Sequence, residues 1–420
     1  MILSNATTPL VGIADTAVIG QLNDPALIGA VALGSTIFSM LFWAFGFLRM
    51  GTTGLTAQAA GAGDKAEVAA NLYRALIIAG CVGFILYLLH VPATILALEL
   101  IGGSARVQTA TADYFGVRIL SAPATLANYA LVGWFIGRSR ANIAFILQLV
   151  LNLINIALAV LFVLVLEKGV TGAAFAAVLA EYAAVFAGLI VARSYLTNNP
   201  SGLHLVLSRP AFIRLIAVNG DIMIRTVCLL FAFTFFASQG AKFGDVTLAA
   251  NSVLRNLSDL AAYVLDGFAF SAEVLTGQAA GGRSLIRFRE AVRLSSVWAL
   301  ALAVLVSFAF WLGGMLSIQI VTENADVRAA SLEFLPWAAA TPLAGVACFQ
   351  LDGIYIGATR TADMRNMMIL SLIAFFAAWA ILTPAFGNHG LWASLIVFLA
   401  VRGITLGARY SALERAVFRR

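Results

Sequence analysis

Long apolar runs separated by short polar turns dominate this chain. Runs of the length needed to cross about 30 Å of hydrocarbon lie at 2–20, 27–60, 70–98, 113–136, 142–166, 170–193, 211–239, 247–280, 290–320, 331–357, 364–385 and 390–412. The connections between them are short and rich in turn-forming residues, as at 61–64. The pattern therefore predicts an all-α integral membrane protein with twelve transmembrane helices.

The second half of the chain repeats the first at an offset of 220 residues. The matched pairs include Gly20 and Gly240, Leu55 and Leu275, Gln58 and Gln278, Gly133 and Gly353, and Arg140 and Arg360. Tandem membrane repeats are typical of secondary transporters, whose substrate site lies between the halves. We therefore predict an N-lobe at 1–195, a cytoplasmic linker at 196–210, a C-lobe at 211–413 and a basic cytoplasmic tail at 414–420. Six spans per lobe place the expected pseudo-twofold axis along the membrane normal.

The composition agrees with a membrane protein. Of 420 residues, 61% are hydrophobic and 11% are charged, whereas about a quarter of residues are charged in soluble domains. The net charge of +6 is interpreted as basic residues kept in cytoplasmic loops, so no nucleic-acid partner is expected. Cys81, Cys228 and Cys348 lie far apart in apolar runs, which favours neither a disulfide framework nor a metal site.

Lysine and arginine are distributed unevenly between alternate loops. Loops after odd-numbered spans hold only Arg106, Arg118, Lys168, Lys242 and Arg328. Loops after even-numbered spans, together with the C-terminal tail, hold most of the others, including Arg74. Because cytoplasmic loops accumulate basic residues, we expect both termini in the cytoplasm. Arg209 and Arg214, at the start of the seventh span, correspond to positions before Met1. We expect a start codon further upstream, and the alternative is a shorter first span.

Polar residues inside the first-half spans are candidates for the functional site, because charges at membrane depth are costly and commonly line a cavity or pair together. Asp15 lies mid-span without a basic neighbour in sequence, and we predict that it exchanges protons. The alternatives are a structural, hydrogen-bonding aspartate or an ion pair with Arg49. Glu181 is interpreted either as a coupling acid or as a member of a helix-packing pair. Asn152 and Asn155 share a helix face.

The second half contains more charged residues within its predicted spans. Asp221 and Arg225 are spaced i, i+4, which predicts an ion pair within one helix. Together with Asp266, Glu273 and Asp352, they are the candidate cavity and coupling residues of the C-lobe. An acidic stripe recurs every seven residues along the eighth span and comprises Asp259, Asp266 and Glu273. Arg255 is placed to neutralise Asp259, and Asp352 lies near the end of the tenth span. The stripe is expected to face the bundle interior, either as a cation-attracting cavity or as a network that locks helices together.

Two other features concern backbone geometry. Pro9 precedes Asp15 by six residues, and proline permits a helix bend that could act as a two-state element beside a titratable group. The repeated segments Thr-x-Gln-Ala-Ala-Gly and Gly-x-x-Ile-Gly-x-x-Arg are interpreted as packing and turn devices, because small residues allow close helix approach.

These motifs resemble one transporter family. Residues 5–20, 48–61 and 265–273 resemble the multidrug and toxic compound extrusion (MATE) family, and 221–226 and 351–360 are similar to its DinF-like bacterial branch. The resemblance implies a multi-pass antiporter of the bacterial inner membrane. Such proteins export amphipathic, often cationic compounds in exchange for H⁺ or Na⁺ by alternating access.

The resemblance also implies roles for individual residues. Asp15 matches a first-span aspartate tied to cation coupling, Asn155 an asparagine beside it, and Asp352 a tenth-span aspartate implicated in coupling. Some relatives have an aspartate and a threonine where this chain has Ala159 and Ala177. Because hard cations need several oxygen ligands, H⁺ is the expected coupling ion and Na⁺ the alternative.

Other classes are weighed against this hypothesis. A lipid-linked saccharide flippase of the same superfamily is the alternative transporter, but it would need a strongly basic cavity, and we expect a mainly acidic interior. An enzyme is not expected, because the chain has no His-Glu-x-x-His, Gly-x-Ser-x-Gly or P-loop motif. We expect no cofactor and no bound metal. The expected partners are small amphipathic drugs or toxins and membrane lipids, and the expected oligomeric state is a monomer.

Overall fold

The structure, a computed structural model, describes residues 18, 20–21, 24–101 and 104–418. Its helices are α1 (Pro25–Ala44), α2 (Phe47–Gly61), α3 (Lys65–Ile101), α4 (Ala105–Arg118), α5 (Ala122–Gly137), α6 (Ala141–Ala159), α7 (Gly169–Asn198), α8 (Leu203–Val206), α9 (Arg209–Ala241), α10 (Asp245–Gly281), α11 (Leu285–Val321), α12 (Ala325–Gly357), α13 (Thr361–Ala408) and α14 (Tyr410–Phe418). A 3₁₀ turn at Ile119–Ser121 joins α4 to α5, and a π-helical turn at Val160–Val165 follows α6. Pro9 and Asp15 lie outside the described residues.

The all-α membrane fold is confirmed. Ten helical segments of the described chain are long and apolar enough to cross a membrane. One of them, Thr361–Ala408, holds two predicted spans that meet at Gly387, where φ is 56°, a value that glycine adopts without strain. Beside this reversal, the Asn251 and Asn388 side-chain amides donate to each other at 2.8 and 2.9 Å. Eleven of the twelve predicted spans are thus described, and the first lies outside the described residues.

The chain forms two compact units, which we call unit 1 and unit 2, and they divide between Ile216 and Ala217. Within unit 1, α5 packs against α2 and α3, and α7 packs against α6. Within unit 2, α12 packs against α10, α11 and α13. Large apolar residues on α11, such as Trp298, Trp311 and Ile320, are exposed. That is the pattern of a helix whose outer surface contacts lipid instead of water.

The segment at 196–210 is attached to unit 1 by a buried arginine. Arg74 of α3 donates to the main-chain oxygens of Leu205 at 2.8 Å and Val206 at 3.1 Å. It also forms an ion pair with Glu67 at 2.7 Å. Sequence analysis assigned Arg74 to a loop, which was wrong: it lies in the third turn of α3 and is fully buried. Its guanidinium fork satisfies backbone oxygens at the end of a short helix.

The repeat is visible in how glycines pack within each unit. A methyl group on Gly133 would collide with the main-chain oxygen of Arg49, and one on Gly353 would collide with that of Ala269. These two oxygens are themselves 220 residues apart. The turns that follow also match, because Ser139 and Thr359 both have positive φ, at 59° and 50°. The interpretation of these repeated glycines as close-packing positions is confirmed.

The segment predicted as a basic tail forms a helix through Phe418. Phe288, fully buried on α11, contacts the rings of Tyr410 and Phe418. Arg289 donates to both carboxylate oxygens of Glu414, at 2.9 and 2.7 Å. These hydrogen bonds lower the pKa of Glu414 below its usual value. The pair therefore stays charged at neutral pH and helps to hold α14 against the start of α11.

A glycine substitution tests the close packing of α12 on α10. Gly353→Ala should lower the free energy of unfolding by about 1–3 kcal/mol, because the added methyl group forces two helix backbones apart. Gly313→Ala on α11 is the matched control, since nothing lies within 4 Å of its added methyl, and alanine there should be neutral or stabilising. The measurement is the thermal unfolding midpoint of purified protein in detergent. Equal midpoints for the two variants would contradict the packing role.

Candidate functional site

A buried charged cluster in unit 1 surrounds Glu181, whose exposed fraction is 9%. Asn128 of α5 donates its side-chain amide to Glu181 Oε2 at 2.6 Å and to the Glu181 main-chain oxygen at 3.0 Å. Arg118 Nη2 lies 3.7 Å from Glu181 Oε1. The cluster therefore ties α4, α5 and α7 together. Of the two interpretations of Glu181, the contacts favour the member of a helix-packing pair.

Sequence analysis assigned Arg118 to a loop, and this assignment was wrong. Arg118 ends α4 inside the continuous span Ala105–Gly137, and its side chain is largely buried. Its guanidinium donates to Ser121 Oγ at 2.5 Å and lies 3.9 Å from the ring centroid of Phe38. A buried guanidinium needs such partners because it cannot give up its proton. Arg118 is thus an interior residue of unit 1, although its position near a predicted span boundary suggested a loop.

The candidate asparagines of unit 1 lie on α6. Asn152 and Asn155 are both buried, and Asn152 Oδ1 accepts a hydrogen bond from Gln148 at 3.2 Å. Ala159 and Ala177, the two positions that the family resemblance singled out, are also buried. Their methyl groups provide no ligand for a hard cation. Asp15 lies outside the described residues, so its distance from these asparagines is not described.

The strongest charged cluster of unit 2 is centred on Asp352, which is 4% exposed. Its Oδ2 atom accepts from Arg225 Nε at 2.9 Å and also from Arg225 Nη2. The same oxygen accepts from Nη2 of Arg402, a residue with no exposed surface. One carboxylate of α12 therefore compensates two guanidinium groups, one from α9 and one from α13. Arg402 was missed by sequence analysis, although it is a charge inside an apolar run and the same criterion that selected the acids applies to it.

The predicted ion pair between Asp221 and Arg225 is wrong. Asp221 instead pairs with Arg365 Nη1 at 2.5 Å and accepts from Thr361 Oγ1 at 2.9 Å. Arg225 turns to Asp352 instead. Spacing by one helical turn makes a pair possible, but partners on α12 and α13 offer buried contacts that are not visible in the local sequence. Asp221 and Arg225 thus join two separate interhelical clusters of unit 2.

The acidic stripe of α10 changes in burial along its length. Asp259 has a 44% exposed side chain and pairs with Arg255 at 2.8 Å, as the spacing predicted. Asp266 is half-buried, and Glu273 is fully buried. Asp266 lies within electrostatic reach of Arg402 and Cys348. The stripe therefore runs from an exposed pair towards the buried charges of unit 2.

The expectation of a mainly acidic interior is wrong for the described residues. The buried acids there are Glu181, Glu273 and Asp352, and the buried bases are Arg74, Arg225 and Arg402. A buried charge without a counter-ion is strongly unfavourable, and the interior accordingly holds bases as well as acids. In the part of the chain that the structure describes, no group of three or more His, Cys, Asp or Glu is arranged to hold a metal ion.

The fold and these interior charges define an integral membrane protein made of two homologous helical units, an architecture typical of secondary transporters. A family model described as MatE matches residues 1–161 and 222–379. DNA damage-inducible protein F of Escherichia coli is 42% identical over 414 residues, which cover 97% of this chain and 89% of that protein. The chain belongs to the MatE family, as the resemblance of its motifs implied.

Two solved structures share the fold. Vibrio cholerae MATE transporter VcmN in the bent form has a TM-score of 0.86 and 20% identity, covering 99% of this chain and 95% of that chain. An outward-facing conformation of a multidrug resistance MATE family transporter of the MOP superfamily has a TM-score of 0.84 and 20% identity, covering 99% and 94%. At this identity the likeness concerns the fold.

Removing the charge of Asp352 should destabilise unit 2. Asp352→Asn leaves two buried guanidinium groups without their carboxylate, which is expected to lower the free energy of unfolding by about 3–5 kcal/mol. Asp259→Asn is the control, because breaking its half-exposed pair should change stability by no more than about 1 kcal/mol. Thermal unfolding in detergent measures both. Two variants that unfold at the same temperature would show that Asp352 is not the counter-ion of this cluster.

Proposed function

We propose that this protein is a secondary active antiporter of the bacterial inner membrane, and that it exports amphipathic, often cationic compounds in exchange for H⁺. The single observation that carries the proposal is membership of the MatE family along most of the chain. Support comes from the structural neighbour described above as a multidrug resistance MATE family transporter. Buried ionisable clusters within the spans of both units add to it, since intramembrane charges commonly mark ion and substrate pathways.

In the proposed cycle, Asp15 binds the coupling ion. Neighbouring polar groups on the same unit would be Asn152 and Asn155, which are buried on α6. A proton entering from outside neutralises Asp15, alters the bend of the first span near Pro9, and lowers the affinity for the exported compound. The two units then alternate in access, so that proton and compound cross in opposite directions.

A proton is favoured over Na⁺ as the coupling ion. Na⁺ is a hard cation and needs several oxygen ligands at once. Ala159 and Ala177 put methyl groups at two positions where some relatives carry oxygens, and both are buried among other side chains. A carboxylate alone can bind a proton, so the loss of these ligands leaves proton exchange intact. Na⁺ coupling remains the alternative.

A lipid-linked saccharide flippase is the second candidate function. This function is favoured by the two buried arginines of unit 2, Arg225 and Arg402, since guanidinium groups bind phosphate well. The two functions differ in energy source and cargo. Accumulation of a cationic fluorescent dye in whole cells that rises when an uncoupler is added, only when the protein is expressed, would support efflux. No change in dye accumulation would favour the flippase.

The decisive test of coupling concerns Asp15. Asp15→Asn should abolish dye efflux driven by a pH gradient in proteoliposomes, because an amide cannot exchange a proton at neutral pH. Glu323→Gln, in an exposed stretch between α11 and α12, is the control and should leave efflux unchanged. Both proteins should elute as folded species from size-exclusion chromatography. Normal efflux by Asp15→Asn would refute the assignment, and efflux driven by a Na⁺ gradient alone would favour the alternative ion.

The proposed orientation places both termini in the cytoplasm. Green fluorescent protein fused after Arg420 should then fluoresce, and alkaline phosphatase at the same position should be inactive, because the phosphatase needs an oxidising compartment for its disulfides. Fusions that end after Asn324, in a loop that follows an odd-numbered span, are the control and should behave in the opposite way. Phosphatase activity at Arg420 would reverse the proposed topology.

A further inference from the structure

The two units carry their interior charge at positions that do not correspond in the repeat. At the offset of 220, Asp352, Arg225 and Arg402 of unit 2 align with Val132, Asn5 and Tyr182. None of these three can carry a full charge at neutral pH. The Asp352 cluster is therefore a feature that unit 2 has and unit 1 lacks.

The converse holds for the acid proposed to couple transport. Asp15 aligns with Phe235 of unit 2. The Phe235 ring makes edge-on contacts with Phe376 and Trp379, with ring centroids 4.9 Å apart in both cases. This position in unit 2 is thus part of an aromatic cluster and offers no group that could bind a cation by charge. Unit 2 therefore has no acid at the position of Asp15, and unit 1 has none at the position of Asp352.

The only buried acid of α12 is Asp352, and it is already compensated by the protein. Arg225 and Arg402 both donate to its Oδ2 atom. A carboxylate buried at membrane depth requires a positive partner, and here two guanidinium groups supply it from α9 and α13. Because arginine keeps its proton under all physiological conditions, these counter-ions remain positively charged throughout a transport cycle.

We propose that Arg402 and Arg225 act as tethered cations of unit 2, so that they occupy the place at Asp352 that a solute cation would otherwise take and confine ion coupling to unit 1. The inference rests on the proposed antiport function, and it deepens that function by naming the residues that set which unit binds the coupling ion. Arg402 contributes most to this exclusion, since it is fully buried and also lies within electrostatic reach of Asp266. Cys348, four residues before Asp352 on α12, has Arg402, Asp352, Arg225 and Asp266 as its charged neighbours.

The inference can be tested without transport, by cation-dependent stability of the full-length protein. Asp15→Asn serves as the parent protein, because it removes the proposed ion site of unit 1. Its thermal unfolding midpoint in detergent should be the same in about 100 mM NaCl, KCl and choline chloride, since no free site for a cation remains. A Na⁺-specific stabilisation of this parent that Asp352→Asn removes would overturn the proposal.

Replacing the tethered cations should create a cation site. In the same parent, Arg225→Met combined with Arg402→Met leaves Asp352 without its two counter-ions. The unfolding midpoint of this variant should rise by about 2–4 °C in one of two comparisons: in NaCl relative to KCl, or at about pH 6 relative to about pH 8. Adding Asp352→Asn should remove this response. Arg402→Lys is the matched control: it keeps the charge and should show no response to Na⁺.

The outcomes separate this inference from the proposed function. A folded double-methionine variant that responds to neither Na⁺ nor protons would overturn the idea that the arginines stand in for a solute cation. If that variant does not fold, the parent protein decides alone, because its response to Na⁺ and its dependence on Asp352 need no arginine substitution. Loss of efflux in Asp15→Asn bears only on the coupling role of Asp15, since none of these stability measurements involves a substrate.

Discussion

The unfavourable burial of charge in a hydrocarbon environment shapes the interior of this protein. In the described residues, the charges buried at membrane depth include Glu181, which lies against Arg118 and Asn128, and Asp352, which lies between Arg225 and Arg402. Each cluster joins three helices, because a side chain on one helix must reach a counter-ion on another. The contacts that compensate these charges therefore also hold the helices together.

The duplicated units share backbone contacts but not charges. Gly133 and Gly353 press against main-chain oxygens at equivalent positions, Arg49 and Ala269, so close helix approach is common to both. The interior charges differ, since Asp352 has no acidic equivalent in the first half. A duplicated fold can thus retain its packing while the two copies take different roles, because packing depends on small residues at fixed spacing and ion binding depends on a few polar atoms.

Sequence reasoning identified the buried acids more easily than their partners. An acid within an apolar run is conspicuous, whereas its partner can lie on any neighbouring helix. The spacing of Asp221 and Arg225 predicted that they pair, whereas Asp221 binds Arg365 and Arg225 binds Asp352. Arg118 and Arg74 lie near the ends of predicted spans and were assigned to loops, although Arg74 is fully buried and Arg118 is largely buried. Span ends are uncertain by a few residues, and a basic residue there can point either into water or into the bundle.

The sequence by itself determined the membrane environment, the number of spans, the duplication and the family, because these follow from hydropathy, periodicity and motifs that lie along the chain. The tertiary structure alone decided which charges meet. Ion pairs such as Arg402 with Asp352 and Arg365 with Asp221 join residues that are far apart in sequence. Their contact depends on which helix faces turn towards each other, and that is set by the packing of whole helices.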